Sequence, residues 1–268
     1  MENLVVIIPM HEFGKENIEL LNKAVDSVPT DVKVMLSCKK GTDGRKLKGI
    51  SERLVVLAES EGDSFCELVN TAVDNIEEKW FSILEFDDTF TPIWLDNVEK
   101  YIDFMPSISV LMCLEDITDF NNGQYLDFGN QASWASSFSN EIGYLDNDCL
   151  QNYFDFYLTG SIFNTADWRE VGGLKPQIKI TFWYEWLLRA TNKGKEVFVI
   201  PKVLYNHKLG RKDSLTEIYK ENIGTEETQW WFDVAKREYF YHPSVERDTS
   251  KFEYNSNADD EETVVTEP

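Results

Sequence analysis

The sequence predicts an α/β protein in which a mostly parallel sheet is flanked by helices and followed by a C-terminal helical extension. Two observations carry this. Within the first 90 residues, four apolar runs alternate with two segments of helical period, the rhythm of strands joined by helical crossovers. One of those runs, Trp80-Phe81-Ser82-Ile83-Leu84-Glu85-Phe86-Asp87-Asp88-Thr89, stops in three carboxylates within four residues. Proteins of this class place acids in that way at the carboxyl end of a buried strand, where ligands bind.

The elements follow in order. Leu4-Val5-Val6-Ile7-Ile8-Pro9 is continuously apolar, as expected of a strand covered on both faces and stopped by Pro9. Ile18, Leu21, Ala24, Val25 and Val28 share one stripe of a helix that Pro29 ends. Strands are predicted at 32–36 and 54–57. Ser64-Phe65-Cys66-Glu67 reads as a capping box that opens a helix with Leu68, Val69, Ala72, Val73 and Ile76 on its apolar face. The acid-tipped strand covers 81–86. Thr91 as N-cap and Pro92 at the first helical position predict a helix over 92–104, and a strand follows over 108–113. Residues 116–148 are rich in Asn, Ser and Gly without clear period, which predicts long loops or short antiparallel strands. Order returns over 154–163. A turn at Gly172-Gly173, a helix near 182–191, a strand over 197–200 and helices at 215–221 and 226–239 complete the chain. No internal repeat is visible.

A chain of 268 residues suits one large α/β domain with extensions, or two small ones. Apolar content of 42% and eight Trp predict a substantial core. No run approaches a membrane span, and Met1-Glu2-Asn3-Leu4 lacks the basic start of a secretory signal, so a soluble, cytoplasmic protein is expected. Cys38, Cys66, Cys113 and Cys149 are widely separated, as buried free thiols would be. The net charge of −22, from 26 bases and 48 acids, repels a phosphate backbone and excludes nucleic acid as a partner. Between Glu246 and Pro268 there are eight acids and two bases, which predicts a solvated, disordered tail that aids solubility or docks onto a protein partner.

Glu85 and Asp87 share one side of an extended chain, while Asp88 can turn back into the next loop. Clustered oxygens of this kind suit magnesium or manganese, which bind through one or two carboxylates and fill the remaining positions with water and substrate phosphates. A nucleotide diphosphate is the natural guest. The same acids also read as mere neighbours of a capped helix entry, and at this level both readings stand.

Over residues 3 to 216 the order of motifs resembles a family 2 glycosyltransferase of the GT-A fold. The resemblance rests on Val5-Val6-Ile7-Ile8-Pro9, Ala24-Val25-Asp26-Ser27-Val28, Leu84-Glu85-Phe86-Asp87-Asp88 and Thr159-Gly160-Ser161. It continues through Trp168-Arg169-Glu170-Val171-Gly172-Gly173-Leu174, Leu187-Leu188-Arg189, Gly194, Val199-Ile200-Pro201, Tyr205 and His207. The Glu-Phe-Asp-Asp variant and the Pro-x-His-Glu opening at Pro9 to Glu12 also look like glycosyltransferase-like proteins of tailed phages, which would place the chain in host cytoplasm or a virion. The resemblance implies a GT-A-like domain over 1–216, a helical extension over 217–245 and the tail over 246–268. It implies Asp87, Asp88 and His207 as ligands of Mn2+ or Mg2+, and Pro9, His11, Glu12, Glu85 and Arg211 at a nucleotide-diphosphate sugar, with an unknown acceptor. The ion would offset charge on the departing diphosphate. His207 also reads as an ordinary loop histidine, and Arg211-Lys212 as a solvated basic turn.

Two departures from the family bear on activity. After the second strand, where the family carries a nucleotide-gripping acid, this chain has Leu36-Ser37-Cys38-Lys39-Lys40-Gly41-Thr42-Asp43. Six residues before Arg189, where the family places a Glu-Asp pair holding its base, stand Phe182 and Trp183. Glu185 is the only nearby acid and is the candidate base, although its spacing of four from Arg189 also suits an ion pair on one helix face. Phe182, Trp183, Tyr184 and Trp186 read as sugar-stacking rings or as core. Two functions therefore remain: a metal-dependent, inverting glycosyltransferase, or a glycosyltransferase-like module that has lost the reaction and serves in binding or structure, as in a phage particle.

Overall fold

The structure, a computed structural model, describes residues 3–43, 48–131, 143–154 and 156–239. Its centre is a ten-stranded mixed sheet, built around β1 (Leu4–Pro9), which is buried at every residue. Parallel to β1 run β2 (Lys33–Lys39) on one side and β4 (Trp80–Ile83) on the other, with β3 (Leu54–Ser60) outside β2. Beyond β4 the direction reverses. The short β9 (Ile162–Asn164) lies antiparallel between β4 and β6 (Val110–Asp119), and β10 (Val197–Leu209) pairs parallel to β6. Three short strands complete the sheet: β5 (Thr89–Phe90) and β8 (Tyr144–Leu145) against β10, and β7 (Tyr125–Gly129) against β6.

Side chains of β1 alternate between two cores, as the period of a strand requires. Val5 and Ile7 join the layer containing α2 (Phe65–Asp74), α5 (Thr165–Val171) and α6 (Phe182–Asn192). Leu4, Val6 and Ile8 join the layer containing α1 (Lys15–Ser27) and α3 (Trp94–Phe104). Each fully buried Val, Leu or Ile contributes roughly 1.5–3 kcal/mol, so this two-sided burial is what holds the sheet. The end of α1 is closed by Arg53, which donates to the carbonyls of Val25 and Pro29 at 2.8 Å each. The capping box of Ser64 and Glu67 opens α2 as expected.

Several expectations needed correction. The acid-tipped strand ends at Ile83, and Glu85 to Asp88 form a turn closed by the Asp88 N–H on the Glu85 carbonyl at 3.2 Å. Thr91 does not cap a helix, because its hydroxyl and its N–H donate to the Val203 and Leu204 carbonyls of β10; α3 starts only at Trp94. Two helices were not foreseen: α4 (Asn147–Asn152), capped by Asp146, and α5, capped by Asn164. The last strand runs nine residues past Ile200, passing Pro201 through irregularities between Ile200 and Tyr205.

All four cysteines are free and buried. Among the described residues no helix is long and apolar enough to cross a membrane. The C-terminal helices α7 (Leu215–Asn222) and α8 (Thr225–Glu238) follow; α7 buries no residue fully and α8 only Ala235. The acidic tail predicted over 246–268 lies outside the described residues.

Candidate functional site

The turn after β4 brings its acids against the far half of β10. One ligand atom each from Glu85, Asp88 and His207 lies within 4.8 Å of the others. Each is held from behind. The Lys208 N–H donates to Asp88 Oδ1 at 2.8 Å, and the Glu85 N–H donates to the Tyr205 hydroxyl at 3.1 Å. His207 Nδ1 sits 2.8 Å from Glu115 Oε2, a carboxylate with no solvent exposure. That bond takes one ring nitrogen and leaves Nε2 for the acids, the arrangement in which a carboxylate orients a metal-ligating histidine.

Asp87, expected beside Asp88 on the ion, faces elsewhere. Its Oδ2 accepts from Arg211 Nε at 2.7 Å, and its carbonyl accepts from Lys208 Nζ. The Arg211 guanidinium in turn lies over the Phe86 ring, 4.8 Å from its centroid. Arg211 is buried and fixed, not part of a solvated basic turn.

Burial dominates the electrostatics of the cluster. It drives the Glu85 carboxyl up to about 7 and raises Asp88 and Glu115 as well. Burial pulls the His207 imidazolium down, but Asp88, then the hydrogen bond and charge of Glu115, and then Glu85 outweigh it and raise His207 to about 10. A positive charge is thus strongly favoured among these acids. Two carboxylates and one imidazole fit a divalent ion of the manganese or magnesium kind, whose binding would displace protons from the same groups.

The cluster opens into a cleft of about 310 Å³, within the size range of small-molecule sites. Pro9, His11, Glu85, Asp87, His207 and Arg211 all line it. His11 stands edge-on to Phe86, its buried Nε2 has no partner among the described residues, and burial lowers its pKa, so the ring is neutral near pH 7. Glu12 is exposed and does not line the cleft.

Glu185 is likewise not a lining residue of this cleft. It is 2% exposed and bonded to Arg189 at 3.0 Å and Lys175 at 2.8 Å, so the ion-pair reading of its spacing is the one the geometry supports. Trp186 is core, while Phe182 and Trp183 both pack against the core and line the cleft. Lys39 and Lys40, where a nucleotide-gripping acid was sought, pair with Asp63 and Glu61 at the surface.

Sequence reasoning missed Glu115 and Lys208. Glu115 carried a usable signal, because it closes the apolar run from Val110 as Glu85 closes the run from Trp80. Lys208 acts through its backbone N–H, which no side-chain pattern reveals.

No protein-family profile and no curated protein matches the chain. Solved structures do. The 1–349 fragment of S. aureus TarS in complex with UDP-GlcNAc is 13% identical with a TM-score of 0.64, over 91% of this chain and 69% of the other. S. aureus TarS itself is 16% identical with a TM-score of 0.58, over 95% of this chain and 46% of the other. The mannosyltransferase PcManGT from Pyrobaculum calidifontis, in complex with GDP-Man and Mn2+, is 16% identical with a TM-score of 0.56, over 79% and 58%. The chain has the mixed α/β fold of these GT-A-type glycosyltransferases.

Proposed function

We propose that the chain is a glycosyltransferase that takes a sugar from a nucleoside-diphosphate donor and passes it, with inversion, to an acceptor hydroxyl. The observation that carries this reading is the convergence of Glu85, Asp88 and His207 at the mouth of β4, on a cleft of ligand size, in a fold whose neighbours were solved with UDP-GlcNAc and with GDP-Man and Mn2+. Mn2+ or Mg2+ bound there would neutralise the diphosphate as it leaves. The chain's own residues prepare the site. Glu115 aims His207, Lys208 fixes Asp88, and Asp87 with Phe86 holds Arg211 on the cleft wall, where its guanidinium suits a phosphate oxygen. Pro9 and His11, at the end of β1, are assigned to the nucleoside.

A second reading is a module of this fold that binds without transferring, as in a phage particle. It is favoured by Phe182 and Trp183 standing where the family keeps its base, and by the locking of Glu185 into an ion pair.

Calorimetric titration of UDP and GDP, with and without manganese, tests the donor site. Metal-dependent binding that Asp88→Asn removes supports the transferase, and release of sugar from the matching donor separates it from the module. An absence of nucleotide binding would defeat both the donor site and the enzyme.

A further inference from the structure

The segment from Lys179 to Tyr184 lines the cleft along its whole length, so the N-terminus of α6 opens into it. The first bond of that helix runs from the Glu185 N–H to the Thr181 carbonyl at 2.9 Å, and the helix itself leaves the N–H groups of Phe182, Trp183 and Tyr184 unused. Thr181 occupies the N-cap but its side chain makes no capping bond. Its hydroxyl is buried in a residue only 3% exposed and has no partner among the described residues. A buried hydroxyl at a helix start ordinarily bonds that helix. Here the hydroxyl is left without a partner in a residue that itself lines the cleft, beside the positive end of the helix dipole.

The surrounding charge has the matching sign. Lys179 stands on the same wall, its ammonium held by the Pro176 carbonyl at 2.9 Å and lying 5.7 Å from the Tyr219 ring. Lys220 and Glu217, both on α7, also line the cleft and neutralise each other at 2.8 Å.

We infer that the start of α6 is an anion subsite: Thr181 Oγ1 and the first-turn N–H groups receive an oxyanion, with Lys179 supplying charge and Phe182 and Trp183 flanking it. In the transferase reading, on which only this last step rests, the oxyanion belongs to the acceptor, which is therefore a phosphate- or carboxylate-bearing molecule.

The test is titration of inorganic phosphate into the full chain, with and without UDP and manganese. Saturable phosphate binding is expected in wild type, weakened about tenfold or more in Thr181→Val, as loss of one hydrogen bond to a charged group implies, and restored in Thr181→Ser. The valine variant should melt no lower than wild type, because it removes a hydroxyl that has no partner. Equal phosphate affinity in wild type and Thr181→Val, no saturable binding, or a valine variant that merely melts early would overturn the subsite. Acetate run in parallel separates the sources: binding of phosphate alone indicates a phosphoester acceptor, and equal binding of acetate a carboxylated one, either upholding the subsite. Thr181-dependent phosphate binding in a protein that ignores UDP would keep the subsite and remove the transferase; UDP binding without phosphate binding would do the reverse.

Discussion

Replacing Glu185 by Gln separates a structural acid from a catalytic one. The Glu185 carboxylate is 2% exposed and meets Arg189 at 3.0 Å, Lys175 at 2.8 Å and the Tyr239 hydroxyl at 3.0 Å. Removing one partner of a buried ion pair costs about 3–5 kcal/mol. Glutamine keeps the shape and one acceptor oxygen, and Arg189 keeps its 2.9 Å bonds to the carbonyls of Val171, Gly172 and Gly173, so the lower end, about 3 kcal/mol, applies. For a domain of this size that lowers the melting temperature by about 6–12 °C. Burial pushes the Glu185 carboxyl up, but Arg189 and then Lys175 outweigh it and hold the group below its ordinary value of 4.5. A depressed folded-state pKa gives stability that is fully present above 4.5 and disappears as pH falls through the lower folded value. The gap between wild type and Glu185→Gln should therefore be widest near neutral pH and close in acid, which calorimetric melts at a series of pH values would follow. A variant that melts with wild type at every pH yet loses sugar transfer would refute this reasoning and make Glu185 a catalytic group.

The remaining predictions concern the site. Asp88→Asn should weaken manganese-dependent UDP binding about tenfold or more, by comparison with the 10–100-fold cost of losing even an outer metal partner, while thermal melting shows no loss, since burial already disfavours the Asp88 charge. Glu115→Gln should lower manganese affinity about 10–100-fold through His207 alone; a manganese titration followed by electron paramagnetic resonance would show it, and unchanged affinity would detach Glu115 from the site. Gly160 has φ +76, and a Cβ there would run into the Tyr205 ring. Gly160→Ala should thus cost about 2–5 kcal/mol, from left-handed strain plus overpacking, read by urea denaturation.

Strand and helix alternation to residue 83 was legible because the strands there are continuously apolar and the helices keep an apolar stripe, with Pro9, Pro29 and the capping box at Ser64 marking boundaries. The acid turn was legible as chemistry but misjudged as geometry. Alternation along a strand paired Glu85 with Asp87, whereas the backbone turns at Phe86 and pairs Glu85 with Asp88. The second half was harder for two reasons. Pro201 and the polar residues after it hide a strand whose irregularities absorb the proline, and α4 and α5 span only six and seven residues, too short for a helical period to emerge. Glu115 and Thr181 matter only through partners, present or missing, and those are tertiary facts.

The bond from the Lys208 N–H to Asp88 joins positions 120 apart in the chain, and that between His207 and Glu115 spans 92. Long-range closures of this kind form late and slowly, since their loop entropy is spent before any contact is made. A growing chain therefore has its acids long before it has a site, and on the transferase reading metal or nucleotide would find nothing to bind until β10 has been synthesised and has docked beside β6. Once assembled, a ligand there grips both halves of the sheet at once and would resist unfolding of the domain as a unit.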